Sequence, residues 1–157
     1  LGDAFDSRKG IDFSALSWAK NNIFDRFQEM GIDVHLITGN HEKSVLSSSK
    51  CKDRFTWIKP YHEMYVDKQF IVLCHYGMRV WNKSHHGSWC LYGHSHDSME
   101  HDTWGRSMDV GVDSAYRILG EYRPFSFREI KNIMDKRGHN PVDHHVETKL
   151  RKEGHIK

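Results

Sequence analysis

A helical pattern set between two strand ends constrains this chain more than any other feature. Leu1-Gly2-Asp3 reads as the close of a strand already under way, and Val34-His35-Leu36-Ile37 reads as a short strand. Between them, from about Ser14 to Met30, the apolar residues Leu16, Ala19, Ile23, Phe27 and Met30 follow helical steps. One helix face is therefore expected to be buried, and Gly31 to stop the helix. Strand, helix and strand in that order predict a crossover joining two parallel strands. The expected class is α/β. Gly2-Asp3 and Thr38-Gly39-Asn40-His41 then both lie beyond carboxyl ends of strands, the rim where open α/β sheets hold their ligands.

The stretch Lys43 to Lys59 is polar, with Ser47-Ser48-Ser49, and reads as a surface loop or short helix. Glu63 to Val66 and Gln69 to Cys74 read as two strands of a hairpin turning at Asp67-Lys68, with His75 at the end of the second. A loop rich in Gly, Ser and His, Gly77 to Ser88, leads to a strand at Trp89-Cys90-Leu91-Tyr92 and then to Gly93-His94-Ser95-His96. Ser107 to Val112 reads as another strand. Ser126-Phe127-Arg128-Glu129 is a capping-box pattern opening a helix to about Lys136, closed by Gly138. The organisation expected is one domain over residues 1–137 and a polar tail over 138–157, without repeats.

Composition narrows the classes. In 157 residues, 38% are apolar and 12% aromatic, which is enough to build one core and speaks against disorder. A net charge of +2 does not argue for a nucleic-acid or membrane partner. No apolar run approaches the roughly 18 residues of a membrane span. Cys51, Cys74 and Cys90 are odd in number and lack CxxC spacing, which disfavours a disulfide framework or a cysteine zinc finger and suits a reducing cytoplasm. The outlier is 13 histidines.

Several of these fall in motifs after strands. Asn40 and His41 sit together past a buried strand, where neither has a packing role. His75 closes an apolar run. In His94-Ser95-His96, alternate residues can turn two imidazoles toward a common point, and imidazole is the commonest metal-binding side chain. With Asp3 these make a mixed set of carboxylate, amide oxygen and imidazole donors. Such a set favours Mn²⁺, Fe or Zn²⁺ over Ca²⁺, which takes oxygens throughout. A carboxylate can bridge two ions, and Asp3 is the candidate bridge. Two metals about 3.5–4 Å apart activate water at neutral pH and clamp the oxygens of a phosphoryl group. His41, beside Asn40, is placed to protonate a leaving oxygen or to stabilise phosphoryl charge.

The order Gly2-Asp3, Gly39-Asn40-His41-Glu42, His75 after a strand, and Gly93-His94-Ser95-His96 resembles the calcineurin-like metallophosphoesterases. From Cys74-His75-Tyr76 through His85-His86-Gly87-Ser88-Trp89 to Met108-Asp109-Val110-Gly111-Val112-Asp113, the chain is more narrowly similar to small, cap-less predicted phosphoesterases of bacteria and their phages. The resemblance spans about Leu1 to Lys136. It implies a four-layer αββα sandwich with a dinuclear site at the strand ends and two divalent metals, most readily Mn²⁺. By that likeness Asp3 bridges the metals, Asn40, His75 and His94 bind one, His96 binds the other, and His41 is the catalytic histidine. The family opens with an Asp-x-His motif on its first strand, and no such motif precedes Leu1. The first strand is therefore expected to be missing from this sequence, which leaves one metal with only Asp3 and His96.

Arg79, Asn82, His85 and His86 lie between two ligand motifs, in a loop expected to hang over the site, with Arg79, His85 and His86 as candidate contacts to substrate phosphate. Asp6 is either a support for the site or a loop-stabilising carboxylate. Trp57, Trp81, Trp89 and Trp104 are expected to pack rather than to stack on bases. His139, His144, His145 and His155, with the basic residues from Lys149 onward, are expected to be solvated. The expected activity is hydrolysis of phosphomonoesters or phosphodiesters, with a small phosphoester or nucleotide as substrate. A nuclease acting on DNA or RNA is a rival that the charge disfavours, and a metal-binding module without catalysis is another.

Overall fold

A computed structural model describes residues 17–100 and 105–139. Asp3, Asp6, Leu16, Trp104 and residues 140–157 lie outside the described residues. The described chain is mixed α/β, with two sheets and several short helices. Strands β1 (His35–Ile37) and β2 (Trp57–Lys59) form a parallel pair. Strands β3 (Tyr61–Val66), β4 (Gln69–Cys74), β5 (Trp89–Tyr92) and β6 (Ser107–Asp109) form the larger sheet in that order. The β3–β4 hairpin is antiparallel and turns at Asp67 and Lys68, both with positive φ, while β4, β5 and β6 run parallel.

Each central strand of this sheet alternates between two cores, so the sheet is covered on both faces. Ile71 in β4, Trp89 and Leu91 in β5 and Met108 in β6 pack with Ile130 and Met134 from helix α5 (Phe127–Met134). On the other face Val72 and Cys90 pack against Trp81. Burial in this apolar layer pushes the Cys90 thiol up to about 12, so it serves there as a small hydrophobe. Helix α5 opens with the expected capping box. Ser126 Oγ accepts from the Glu129 backbone N–H, and Glu129 Oε2 accepts from the Ser126 backbone N–H.

Three local expectations are revised or extended. Lys43 to Lys59 takes the short-helix form that is one of its two expected readings, and holds more than that. It holds helices α2 (Lys43–Ser47) and α3 (Ser49–Lys52) and strand β2, and it supplies Val45 and Cys51 to a core with Leu36. The serine run masks this because only two apolar side chains of the helical stretch turn inward. Ser107 to Val112 is strand only as far as Asp109, and Val112–Leu119 is helix α4.

The third revision concerns helix α1, residues 17–29. Ala19 and Phe24 are buried, whereas Ile23, Phe27 and Met30 are exposed. The cause is a π-helical turn at Lys20–Phe24, which adds a residue to the turn and rotates the face that follows. Phe24 thereby meets Phe55, their ring centroids 5.1 Å apart. Among the described residues, no helix is long and apolar enough to cross a membrane.

Candidate functional site

Parallel strands with right-handed connections bring the loops after their carboxyl ends to one rim. There β1 delivers Thr38-Gly39-Asn40, β4 delivers His75, and β5 delivers Gly93-His94. Three predicted ligands converge. His75 Nε2 lies 2.8 Å from Asn40 Oδ1 and 3.0 Å from His94 Nδ1. An imidazole Nε2 carries at most one hydrogen and Asn40 Oδ1 can only accept, so whichever tautomer His94 adopts, one proton cannot serve both contacts fully. A single cation at that point satisfies all three lone pairs. This donor set, two imidazole nitrogens and one amide oxygen, fits a borderline divalent metal. His75 is 1% exposed while Asn40 and His94 are open to solvent, so the point is anchored from below and reachable from outside.

The approach is close because of Gly39. A Cβ on it would stand 2.6 Å from the His75 ring, inside the van der Waals limit. The Gly39 N–H donates to Glu42 Oε2 at 2.5 Å, and Glu42 is 2% exposed, which fixes the loop carrying Asn40 and His41. His41 itself is half-buried. The other half of the site is tied by backbone, since the N–H groups of Gly93 and His94 both donate to the His75 carbonyl.

The turn after β5 is held by a buried carboxylate that sequence reasoning placed only in a strand. Asp109, wholly buried, accepts from Ser95 Oγ at 2.5 Å, from the Asp97 N–H at 3.1 Å and from the Gly111 N–H at 2.8 Å. These bonds keep His96 and Asp97 in positive-φ backbone, which β-carbons otherwise disfavour. Asp97 in turn accepts from Ser114 Oγ and from Arg117. The signal was available: an acid at the end of a buried strand must be satisfied by something. His96 Nδ1 lies 2.8 Å from Asp113 Oδ2. An Nδ1–H donated to a carboxylate leaves Nε2 as the lone-pair atom, the usual arrangement behind a metal-binding histidine.

The remaining candidates separate. Because β4 and β5 are parallel, the segment between them must travel the whole length of the sheet. Exposed Arg79 lies near its start. Asn82 is engaged lower down, donating to both oxygens of Glu63 at 3.1 and 3.0 Å. His85 and His86 belong to a short turn, Ser84–His86, just before β5, and His86 borders a cavity with Gln69 at the start of β4. Six residues of β4 separate that end from His75, about 20 Å at the usual rise. His86 is thus far from the convergent donors, contrary to the expectation that this loop as a whole overhangs them. Trp81 and Trp89 are buried packing residues as expected, and Trp57 stacks on His35 at 4.4 Å.

Among the described residues no group of three or more His, Cys, Asp and Glu side chains is placed to hold a metal ion. The convergent set includes an asparagine, and Asp3 lies outside the described residues. Comparison with protein-family models, with curated proteins and with solved structures finds no match.

Proposed function

We propose that the chain is a metal-dependent phosphoesterase of the four-layer αββα kind, hydrolysing phosphomonoesters or phosphodiesters. The observation that carries this reading is the meeting of Asn40 Oδ1, His75 Nε2 and His94 Nδ1 at one solvent-facing point. Asn40, His75 and His94 would hold one divalent ion, His96 through Nε2 the other, and Asp3 would bridge them. The ions, Mn²⁺ or alternatively Fe or Zn²⁺, would supply Lewis acidity and an activated water when bound.

The chain's own residues do the rest. His41, carried on the Glu42-anchored loop, protonates the leaving oxygen. Arg79 offers a guanidinium to phosphoryl oxygens at the exit of β4. Burial of His75 and its two carbonyl-bound N–H partners hold the donor atoms in place, so that no large rearrangement precedes binding.

Titration with Mn²⁺, coupled to hydrolysis of an aryl phosphate and an alkyl phosphate, tests the reading. Turnover that requires the metal is expected. His94→Ala should lose metal, and His41→Ala should keep metal but lose roughly 10²-fold in rate, less for the better leaving group. Metal binding without turnover would favour the non-catalytic module, and no metal binding would overturn the reading.

A further inference from the structure

At the opposite end of the sheet lies a second polar site. A cavity of about 260 Å³ opens where β4, β5 and β6 begin, bordered by Lys68, Lys83, His86 and Arg106. No carboxylate lines it among the described residues. Arg106 borders the recess, and its Nε is buried without a hydrogen-bond partner among the described residues, an expensive condition for a charged donor. Lys83 is held over the Phe70 ring, 4.2 Å from its centroid, and donates to the Tyr65 hydroxyl at 3.0 Å, with further N–H donors to spare. Gly87, at φ +82°, brings its backbone close enough that a Cβ would meet Arg106 Nη1 and His139 Nδ1 at 3.4 Å each. Its carbonyl is fixed by Gln69 Nε2 at 3.1 Å.

Concentrated donors in a recess with a fixed floor, and no carboxylate among the described residues that line it, describe an anion site. We propose that this cavity binds a phosphate group, free or carried as a phosphomonoester, independently of the rim holding His75. Arg106 supplies a planar pair of donors, Lys83 a pre-positioned ammonium, and Lys68 the rim charge. The Phe70 and Tyr65 rings border the opening, so a phosphomonoester with a compact apolar part fits as well as the free ion.

Calorimetric titration of the chelator-treated, metal-free protein with inorganic phosphate and with an alkyl phosphomonoester tests the site without involving the proposed catalytic reaction. Saturable one-to-one binding of at least one of them is expected, and which one binds identifies the source. Arg106→Gln and Lys83→Gln should each weaken it about tenfold or more, the usual loss for a charge-assisted hydrogen bond. His94→Ala should leave it unchanged. If Arg106→Gln fails to fold, exposed Lys68→Gln carries the same expectation with a smaller loss. No binding, equal binding of chloride, indifference to these variants, or loss in His94→Ala would each overturn the proposal.

Discussion

The His75 ring occupies the space a side chain at Gly39 would need, with three ring atoms within 2.7 Å of the missing Cβ. A methyl group there must push back either the loop of Asn40 or the buried imidazole. Neither yields easily, because Glu42 anchors the first and burial holds the second. Gly39→Ala is therefore expected to cost about 1–3 kcal/mol of stability, the range for overpacking a tight site. It should also weaken divalent-metal affinity far more than a substitution at exposed Ser49 would. Chemical denaturation and metal titration of the two variants check this. Unchanged metal affinity in Gly39→Ala would show that the close approach has no part in binding.

Two elements are held in place by opposite means. The turn 94–98 lacks regular structure and depends on one carboxylate. Asp109→Asn converts an acceptor of three hydrogen bonds into a group that must turn a donor toward one of them. A loss of about 1–3 kcal/mol is expected, with faster amide exchange confined at first to this turn. Helix α5 instead carries its own start signal. Its Glu129 is held down to about 2 from the ordinary 4.5, first by the hydrogen bond from Arg123 and then by those from Ser126. A carboxyl depressed in the folded state contributes stability above its unfolded value and loses it as pH falls. This contribution should thus be full above pH 4.5 and disappear toward pH 2, and Glu129→Gln should flatten that part of the stability profile.

The same contrast explains what the sequence revealed. The capping box was legible because its residues are neighbours, and β4 because its apolar run is unbroken. The converging Asn40, His75 and His94 were legible because each follows a strand. What the sequence concealed was the rotation of the α1 face by a π turn, the buried Val45 and Cys51 within a serine-rich segment, and Asp109 bonding to residues fourteen and twelve positions away. Each depends on packing between distant segments rather than on local pattern. The loop after His75 departs from expectation for a simpler reason: a connection between parallel strands begins at the rim but must end at the far side of the sheet, so only its first residues stay near the donors.

At the scale of the molecule, the donor set joins the two sheets. Asn40 belongs to the loop after β1 in the smaller sheet, and His75 and His94 follow β4 and β5 in the larger one. A cation held by all three links the two sheets at this rim. Binding only to the folded form should add about 2.7 kcal/mol at a concentration one hundred times the dissociation constant. Divalent metal is accordingly expected to raise the thermal midpoint of the protein, and the rise should vanish in His75→Ala. An equal rise in that variant would place the ion elsewhere.

Only Pro60 stands between the end of β2 at Lys59 and the start of β3 at Tyr61. Its ring fixes one backbone torsion and removes an N–H, so the joint between the sheets has little slack. Lys59 Nζ and His62 Nδ1, 3.3 Å apart, and the ring contact of Trp57 with His62 brace the corner from both sides. Mechanically this is an elbow cast at one angle rather than a hinge. Any movement at the rim would then fall to side chains and to the loops there, while the spacing between the two sheets stays set like the jaws of a fixed gauge.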